Sequence, residues 1–361
     1  MTRPIVDDER AARLILAANV GDPARIGAQV ERDGAVAVLD RLRRQPGPFQ
    51  APLRAANIEQ VQADADRCAA RIVVVGDRQW PSQLNDLGRA APLALWVIGA
   101  GDLRLLALRS IAVVGARAAT AYGLSVAEMF AAGLVQAGWT VVSGGAYGID
   151  GSAHRGTLIA GGTTLCVLAG GVDVAYPRGH QALLARIADE GLLISQSPPG
   201  TAPQRHRFLT RNHMIAALTR ATVVVEAALR SGTTATANAA FALNRPVLAV
   251  PGPIHSAASA GCHVLVRERG AMLATRVEDV LELVSPMGLG PEPVGAPTLP
   301  LDELPPTQAR VLDAFPTRRA VDLETLCAQV GLGAGQVLSA LGGLQARDLV
   351  ISHPQGWQLR H

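Results

Sequence analysis

Ser110-Ile111-Ala112-Val113-Val114-Gly115-Ala116-Arg117 opens the stretch that decides the fold, and Thr140-Val141-Val142-Ser143-Gly144-Gly145-Ala146-Tyr147-Gly148-Ile149-Asp150 closes it. Each begins as an apolar, largely β-branched run and ends in a Gly-bearing turn, while residues 122–137 between them read as a helix. The pattern predicts a β-α-β unit with parallel strands. In an open parallel sheet, turns at the carboxyl ends of the strands border the crevice where ligands bind. Glycines there let backbone N–H groups approach phosphate oxygens, and the positive end of the following helix favours an anion. A dinucleotide fingerprint would read G-x-G-x-x-G, whereas Arg117 stands where the second glycine would admit the pyrophosphate. The stretch therefore predicts a phosphate-seeking α/β site that offers a cation, not an ordinary NAD site.

Outward from this unit the scheme repeats. Strand-like runs begin at Arg71, with residues 72–75, 80–84, 91–93 and 95–99; after Asp150 come a helix over 151–160, a strand over 164–168 closed by Ala169-Gly170-Gly171, a helix over 180–189 and a strand over 192–195. Alternation of strand, turn and helix predicts an extended Rossmann-like, doubly wound parallel sheet. Residues 201–217 are the most basic segment, with Arg205, His206, Arg207, Arg211 and His213, no acid, and Phe208 among the arginines. Phosphates need the charge and unpaired bases stack on a ring, so the combination suits single-stranded nucleic acid; alternatively Phe208 staples a loop to the core and the arginines are solvated. A buried strand over 221–226 then leads to Ser231-Gly232-Thr233-Thr234, a third phosphate-compatible turn at a helix start. Glu226, at the end of that strand, is either an orienting partner for an arginine or solvated. The domain closes with a strand over 247–250, Pro251-Gly252-Pro253, a helix over 261–269, and residues 277–284.

The flanks differ. Residues 1–70 read as a small helical domain, broken at Gly21-Asp22-Pro23, that is either a helix-hairpin-helix or an accessory bundle; Asp22 stands where a phosphate would lie. Residues 71–285 form the sheet domain, and residues 286–306, rich in Pro, Gly and Leu, read as a linker. Residues 307–361 read as three short helices and a hairpin, a winged-helix-like pattern. Its third helix carries Gln336, Ser339, Gln345 and Arg347, a thin set for base readout, which favours a structural or protein-docking role.

Composition narrows the class. Of 361 residues, 49% are hydrophobic, enough for a large core and more than one domain. No apolar run reaches the roughly 20 residues of a membrane span, and the opening residues do not read as a signal peptide, so a cytoplasmic protein is expected. Cys68, Cys166, Cys262 and Cys327 lie far apart without a C-x-x-C pair; all four read as small buried residues, and neither a metal nor a cofactor is expected. All 33 basic residues are arginine, which biased codon usage explains better than selection for phosphate binding does, and a net charge of +3 decides nothing.

Taken together, Ile111 to Arg117 (I-A-V-V-G-A-R), S-G-G-A-Y-G-I-D from Ser143 with Ala153-His154-Arg155-Gly156, G-G-V-D-V-A-Y-P from Gly170, F-L-T-R-N-H-M-I-A from Phe208, V-V-E-A-A-L-R-S-G from Val224, and Val250-Pro251-Gly252 followed by Ser259-Ala260-Gly261-Cys262 resemble the DNA-processing protein A family (DprA, also called Smf). The blocks keep their order across about residues 72–285, and the flanking pieces fit the family's layout. The resemblance implies a homodimeric protein that binds and protects single-stranded DNA without sequence preference and helps load a RecA-type recombinase in transformation or repair. By motif, Gly115, Ala116 and Arg117 would face a phosphate, with Ser143, Gly144 and Gly145 as close-approach backbone. Arg205 and Arg207 would add cations beside Phe208, Arg211 and Asn212 would shape the floor, and Ser231, Gly232 and Thr233 would complete the edge. His213 stands where the family usually has arginine, and Thr234-Ala235-Thr236-Ala237-Asn238 is less apolar than usual. Residues 264–273, near the last edge of the sheet, are the expected dimer surface.

The rival is an enzyme. The same sheet and turn also resemble nucleoside-monophosphate phosphoribohydrolases of the "Lonely guy" type, whose P-G-G-x-G-T-x-x-E motif supplies a glutamate. Here Thr236 occupies that place, so nothing would stabilise an oxocarbenium charge or activate water. Asp150 and His154 could form an i, i+4 acid/base pair, but Asp150 at a helix start is more simply a cap. The expectation is a binding protein, not an enzyme.

Overall fold

The structure is a computed structural model that describes residues 5–229, 231–285, 304–316 and 319–360, with side chains from residue 8. Arg230 and residues 286–303, most of the expected linker, lie outside the described residues. These fall into two compact units, within Met1–Pro291 and within Glu292–His361.

In the first unit, nine strands form one sheet: β1 (Arg71–Val74), β2 (Ala94–Ile98), β3 (Ser110–Val114), β4 (Thr140–Ser143), β5 (Thr164–Val167), β6 (Leu192–Ser195), β7 (Ala221–Val224), β8 (Val247–Ala249) and β9 (Met272–Leu273), in the order β1-β2-β6-β5-β4-β3-β7-β8-β9. From β6 to β9 every pairing is parallel, which gives the doubly wound sheet expected. The chain reverses direction of growth between β3 and β7, the switch point of the fold. Near one edge β2 runs antiparallel to both its neighbours, β6 and the edge strand β1, an arrangement common in large mixed sheets. The strands β3 to β7 are buried end to end because helices cover both faces. One face packs Ala112, Val142, Leu165 and Ile215; the other packs Ile111, Val141, Phe130 and Leu134.

Two strand readings change. Residues 91–93, read as a strand, only lead into β2. The strand expected over 80–84 is instead the start of a 3₁₀ segment, Ser82–Ala90, with Trp80 Nε1 donating to Asn85 Oδ1 (3.0 Å) and Pro81 leading in. The basic segment, whose conformation the sequence left open, contains a helix, Arg205–Leu218. Met214, Ile215 and Leu218 are buried against the sheet, and this tertiary packing sets its conformation although its polar N-terminal half shows no clean amphipathic stripe.

The N-terminal helices pack on one another through Leu16, Val38 and Leu53 and on the sheet edge through Leu14, Val61 and Trp96. The Ile5–Val20 helix stops at Gly21, whose φ of +74° is open to glycine at little cost. Asp22 then caps the next turn by accepting from the Ala24 N–H (3.0 Å), so this acid serves its own backbone.

The second unit contains helices Pro306–Asp313, Leu323–Val330 and Ala334–Ala346 and a hairpin of Val350–His353 with Gly356–Leu359, around Val311, Leu326, Leu341 and Leu344. A bridge from Val321 to Trp357 ties the chain before the second helix to the hairpin. Among the described residues no single helix is long and apolar enough to cross a membrane. Cys166 and Cys262 are buried, whereas Cys68 and Cys327 are half-buried; all four are free thiols, and burial pushes Cys166 and Cys262 up to about 12.

Candidate nucleic-acid interface

Two Gly-bearing turns meet at the carboxyl ends of β3 and β4, and each is already engaged by a carboxylate of the chain. Glu226, just past β7, is 2% exposed and accepts from the Thr120 N–H (2.9 Å) and hydroxyl (2.6 Å). Thr120 is the N-cap of the Ala121–Gln136 helix, so a negative charge sits where an ordinary doubly wound fold would hold a phosphate. Gly123 fits this arrangement: a Cβ there would overlap the Glu226 carboxylate. Asp150, in the first turn of the Ile149–Ile159 helix, does the same for the second turn. Its buried carboxylate accepts from the Gly144 N–H (3.2 Å) and from the backbone of Gly115 and Ala146. Burial pushes its carboxyl pKa up, and Arg211 with these backbone donors opposes the shift.

Arg211 is itself buried, and burial lowers its pKa while Asp150, 4.0 Å away, opposes the change. Nη1 donates to the Val167 carbonyl (3.3 Å). The guanidinium lies so close over Gly144 that a Cβ at that position would overlap Nη1. Gly144 is therefore required by an arginine of this chain, and its N–H is engaged by Asp150 and not open to a phosphate. Gly115 is likewise close-packed, since a Cβ there would overlap Ile149. Gly145 has φ +70° and abuts Cys166 Sγ.

The open space lies beside these turns, over the ends of β4 and β5. A cleft of about 470 Å³, counted to its mouth, is lined by Arg117, Gly144, Tyr147, Leu168, Gly170, Tyr176, Pro203 and Phe208 among others, and its lining contains no carboxylate and no histidine. Phe208 is central. Its ring packs at 5.6 Å against Tyr176, tilted by 59°, with the Arg117 guanidinium 5.2 Å and the Arg211 guanidinium 5.8 Å from its centroid. Arg117 is exposed and makes no hydrogen bond or ion pair among the described residues, so its charge is available to a ligand. The cleft thus offers an aromatic platform, a free cation and an apolar wall. That chemistry stacks a ring and holds a phosphate beside it, and it has no group to activate water.

The other expected residues separate. Ala116 donates its N–H to the Glu226 carbonyl (2.7 Å), and Ser143 Oγ donates to the Val113 carbonyl (2.7 Å); both hold strand ends together. Arg205, the first residue of its helix, is exposed. Arg207 turns toward Ser197 and the end of the first helix, outside the cleft lining. Asn212 donates to the Gly232 carbonyl (3.2 Å), which joins the start of the Gly232–Ala242 helix to the Arg205–Leu218 helix. Ser231 Oγ lies 3.3 Å from Thr234 Oγ1, Gly232 is exposed and Thr233 is buried; this helix start has neither a side-chain cap nor an acid in its first turn. Asp150 and His154 do not pair: His154 Nδ1 meets Thr164 Oγ1 (2.8 Å), and burial lowers the imidazole pKa to about 3.

Tyr147 and Tyr176 escaped the sequence reading. They are two of only three tyrosines, and both lie inside quoted motifs, so rarity was the available signal. Tyr147 packs edge-on against His180 (4.8 Å), whose Nδ1 meets the Gly145 carbonyl (3.0 Å).

Residues 71–285 match the DNA recombination-mediator protein A family. The chain belongs to that family. It is 45% identical over 354 residues to the DNA processing protein DprA of Mycobacterium tuberculosis strain H37Rv, covering 93% of this chain and 90% of that one. The X-ray structure of DprA from Streptococcus pneumoniae matches with a TM-score of 0.64 at 30% identity, over 78% of this chain and 98% of the other. A DprA structure from Helicobacter pylori, titled for its single-stranded DNA binding mode, shares the fold with a TM-score of 0.52 at 24% identity, over 58% and 94%. The chain's relatives are named as DNA processing proteins, and Thr236 stands where a phosphoribohydrolase would carry its glutamate, so that alternative is set aside.

Proposed function

We propose that the chain is a sequence-independent single-stranded DNA-binding protein that works in the cytoplasm as a homodimer and helps load a RecA-type recombinase in transformation or repair. One observation carries the DNA reading: Phe208, beside Tyr176 and within 5.2 Å of the unpaired Arg117 guanidinium, borders a cleft without acids. Duplex DNA hides its base faces, whereas an unpaired base can lie on Phe208 while its phosphate meets Arg117. Arg205 and the uncapped start of the Gly232–Ala242 helix extend the grip, with Gly115, Gly144 and Gly145 shaping it through the chain's own contacts. The single-stranded DNA binding named for the Helicobacter pylori relative supports the same reading.

The dimer reading rests on the last sheet edge. Met272 and Leu273 of β9 are 49% and 53% exposed, beside a groove lined by Val250, Pro251, Cys262, Val266 and Leu273. A short, exposed apolar edge strand is unusual in a monomer. Two copies would present two clefts to one strand and gain from effective concentration. The C-terminal unit, read as a winged helix, would dock protein or serve structure.

The test is fluorescence anisotropy with labelled oligo-dT and a matching duplex. Preference for oligo-dT is expected; equal affinity, or none, removes the DNA reading. Release of free base from a nucleoside monophosphate in a parallel incubation would restore the enzyme alternative.

A further inference from the structure

Arg207 reads in sequence as one more DNA-binding cation, yet its guanidinium faces the protein. Nη1 donates to Ser197 Oγ (2.8 Å), Nη2 lies 3.7 Å from where a Cβ on Gly21 would be, and Nε is buried without a protein partner. Three segments converge on this side chain: the end of the first N-terminal helix, the loop leaving β6, and the first turn of the helix that carries Phe208. The loop is in turn fastened to the cleft wall. Ser197 N–H donates to Ser195 Oγ (2.9 Å), Ser195 Oγ donates to the Gly170 carbonyl (2.7 Å), and Gly171 N–H donates to the Thr201 carbonyl (2.9 Å). Gly170 and Pro203 both line the cleft. Successive helical side chains point about 100° apart. Holding Arg207 against Ser197 therefore fixes the rotation of the helix and turns Phe208 outward over Tyr176.

We infer that Arg207 is a positioning residue: a latch from the N-terminal helices and the β6 exit loop to the helix start, setting the stacking platform without touching DNA. The inference rests on the single-stranded DNA reading above. Burial, which lowers the Arg207 pKa, agrees with a side chain withdrawn from solvent.

The test compares oligo-dT binding across a salt series for the wild type, Arg207→Met, Ser197→Ala and the double variant in the full chain. Met keeps an apolar stem, and Ser197→Ala removes only the acceptor and leaves every charge in place. Each single variant should weaken binding about three- to tenfold with the wild-type salt slope, and the double variant should be no weaker than Arg207→Met, as expected for one shared contact. A slope lower by about 0.7 in Arg207→Met, with Ser197→Ala binding like wild type, would make Arg207 a phosphate contact and overturn the inference. Wild-type affinity in both single variants would overturn it too. A wild type without preference for oligo-dT would instead remove the parent reading, and the latch with it.

Discussion

At the carboxyl edge of one sheet, two neighbouring places have opposite fates. Between β3 and β7, where doubly wound folds hold a phosphate, Glu226 binds the start of the Ala121–Gln136 helix, and Asp150 binds the turn after β4. Over β4 and β5, the next space carries Tyr147, Tyr176, Phe208 and an unpaired Arg117, with no acid. The same anion-seeking backbone is neutralised from within at the first place, while the second draws its anion affinity from a side chain. This fold position does not by itself name the ligand; what fills the helix start does. With the two helix starts at the switch point engaged by Glu226 and Asp150, that place has little to offer a free nucleotide's phosphates, and the adjacent cleft is where we propose a polymer binds.

The comparison breaks most easily at Phe208. Base stacking on an aromatic side chain is worth about 1–3 kcal/mol, so Phe208→Ala should lower oligo-dT affinity by roughly tenfold or more with the salt slope unchanged, read by anisotropy. An unaltered affinity would mean that the platform is core packing alone.

Glu226→Ala tests the other side. It leaves the Thr120 N–H without its acceptor, at a cost of about 1–3 kcal/mol in urea denaturation. Added acetate should restore part of that stability in the variant and none in the wild type, because a small carboxylate can re-enter the vacated place at the helix start. Equal response of the two proteins to acetate would show that the place does not bind anions.

The packing of the Ile149–Ile159 helix on β5 should also be dry enough to keep His154 neutral. Its pKa falls from the ordinary 6.5 to about 3 in the fold, so its contribution is complete above pH 6.5 and is lost as pH drops toward 3. Between pH 7 and pH 5 this amounts to about 2 kcal/mol of stability. His154→Gln should be less stable at pH 7 yet lose markedly less than wild type on going to pH 5. A parallel loss in both proteins would contradict a buried neutral imidazole.

Much of this was legible in the sequence because strand, turn and helix follow one another in the parallel-sheet pattern, and because Arg117 breaks the dinucleotide fingerprint. The conformation of residues 201–217 was not legible, because the polar N-terminal half hid a helix whose packing begins only at Arg211. The glycines misled in a different way. Gly144 signals close approach, as expected, but the group that approaches is Arg211, and no local pattern ties residue 144 to residue 211. Glu226 is a similar case. At the end of a strand it reads as solvated or as an arginine partner, and only the fold brings Thr120 and Gly123 to it across β3 and β7.

The most direct measurement is the salt dependence of oligo-dT binding for wild type and Arg117→Ala. With Arg117 as the cleft's free cation, the variant should bind about tenfold more weakly, and the slope of log affinity against log salt should fall by about 0.7, one phosphate contact on a single strand. Identical affinities and slopes in the two proteins would contradict the account, because the cation that distinguishes the open cleft from the sealed switch point would then have no part in holding DNA.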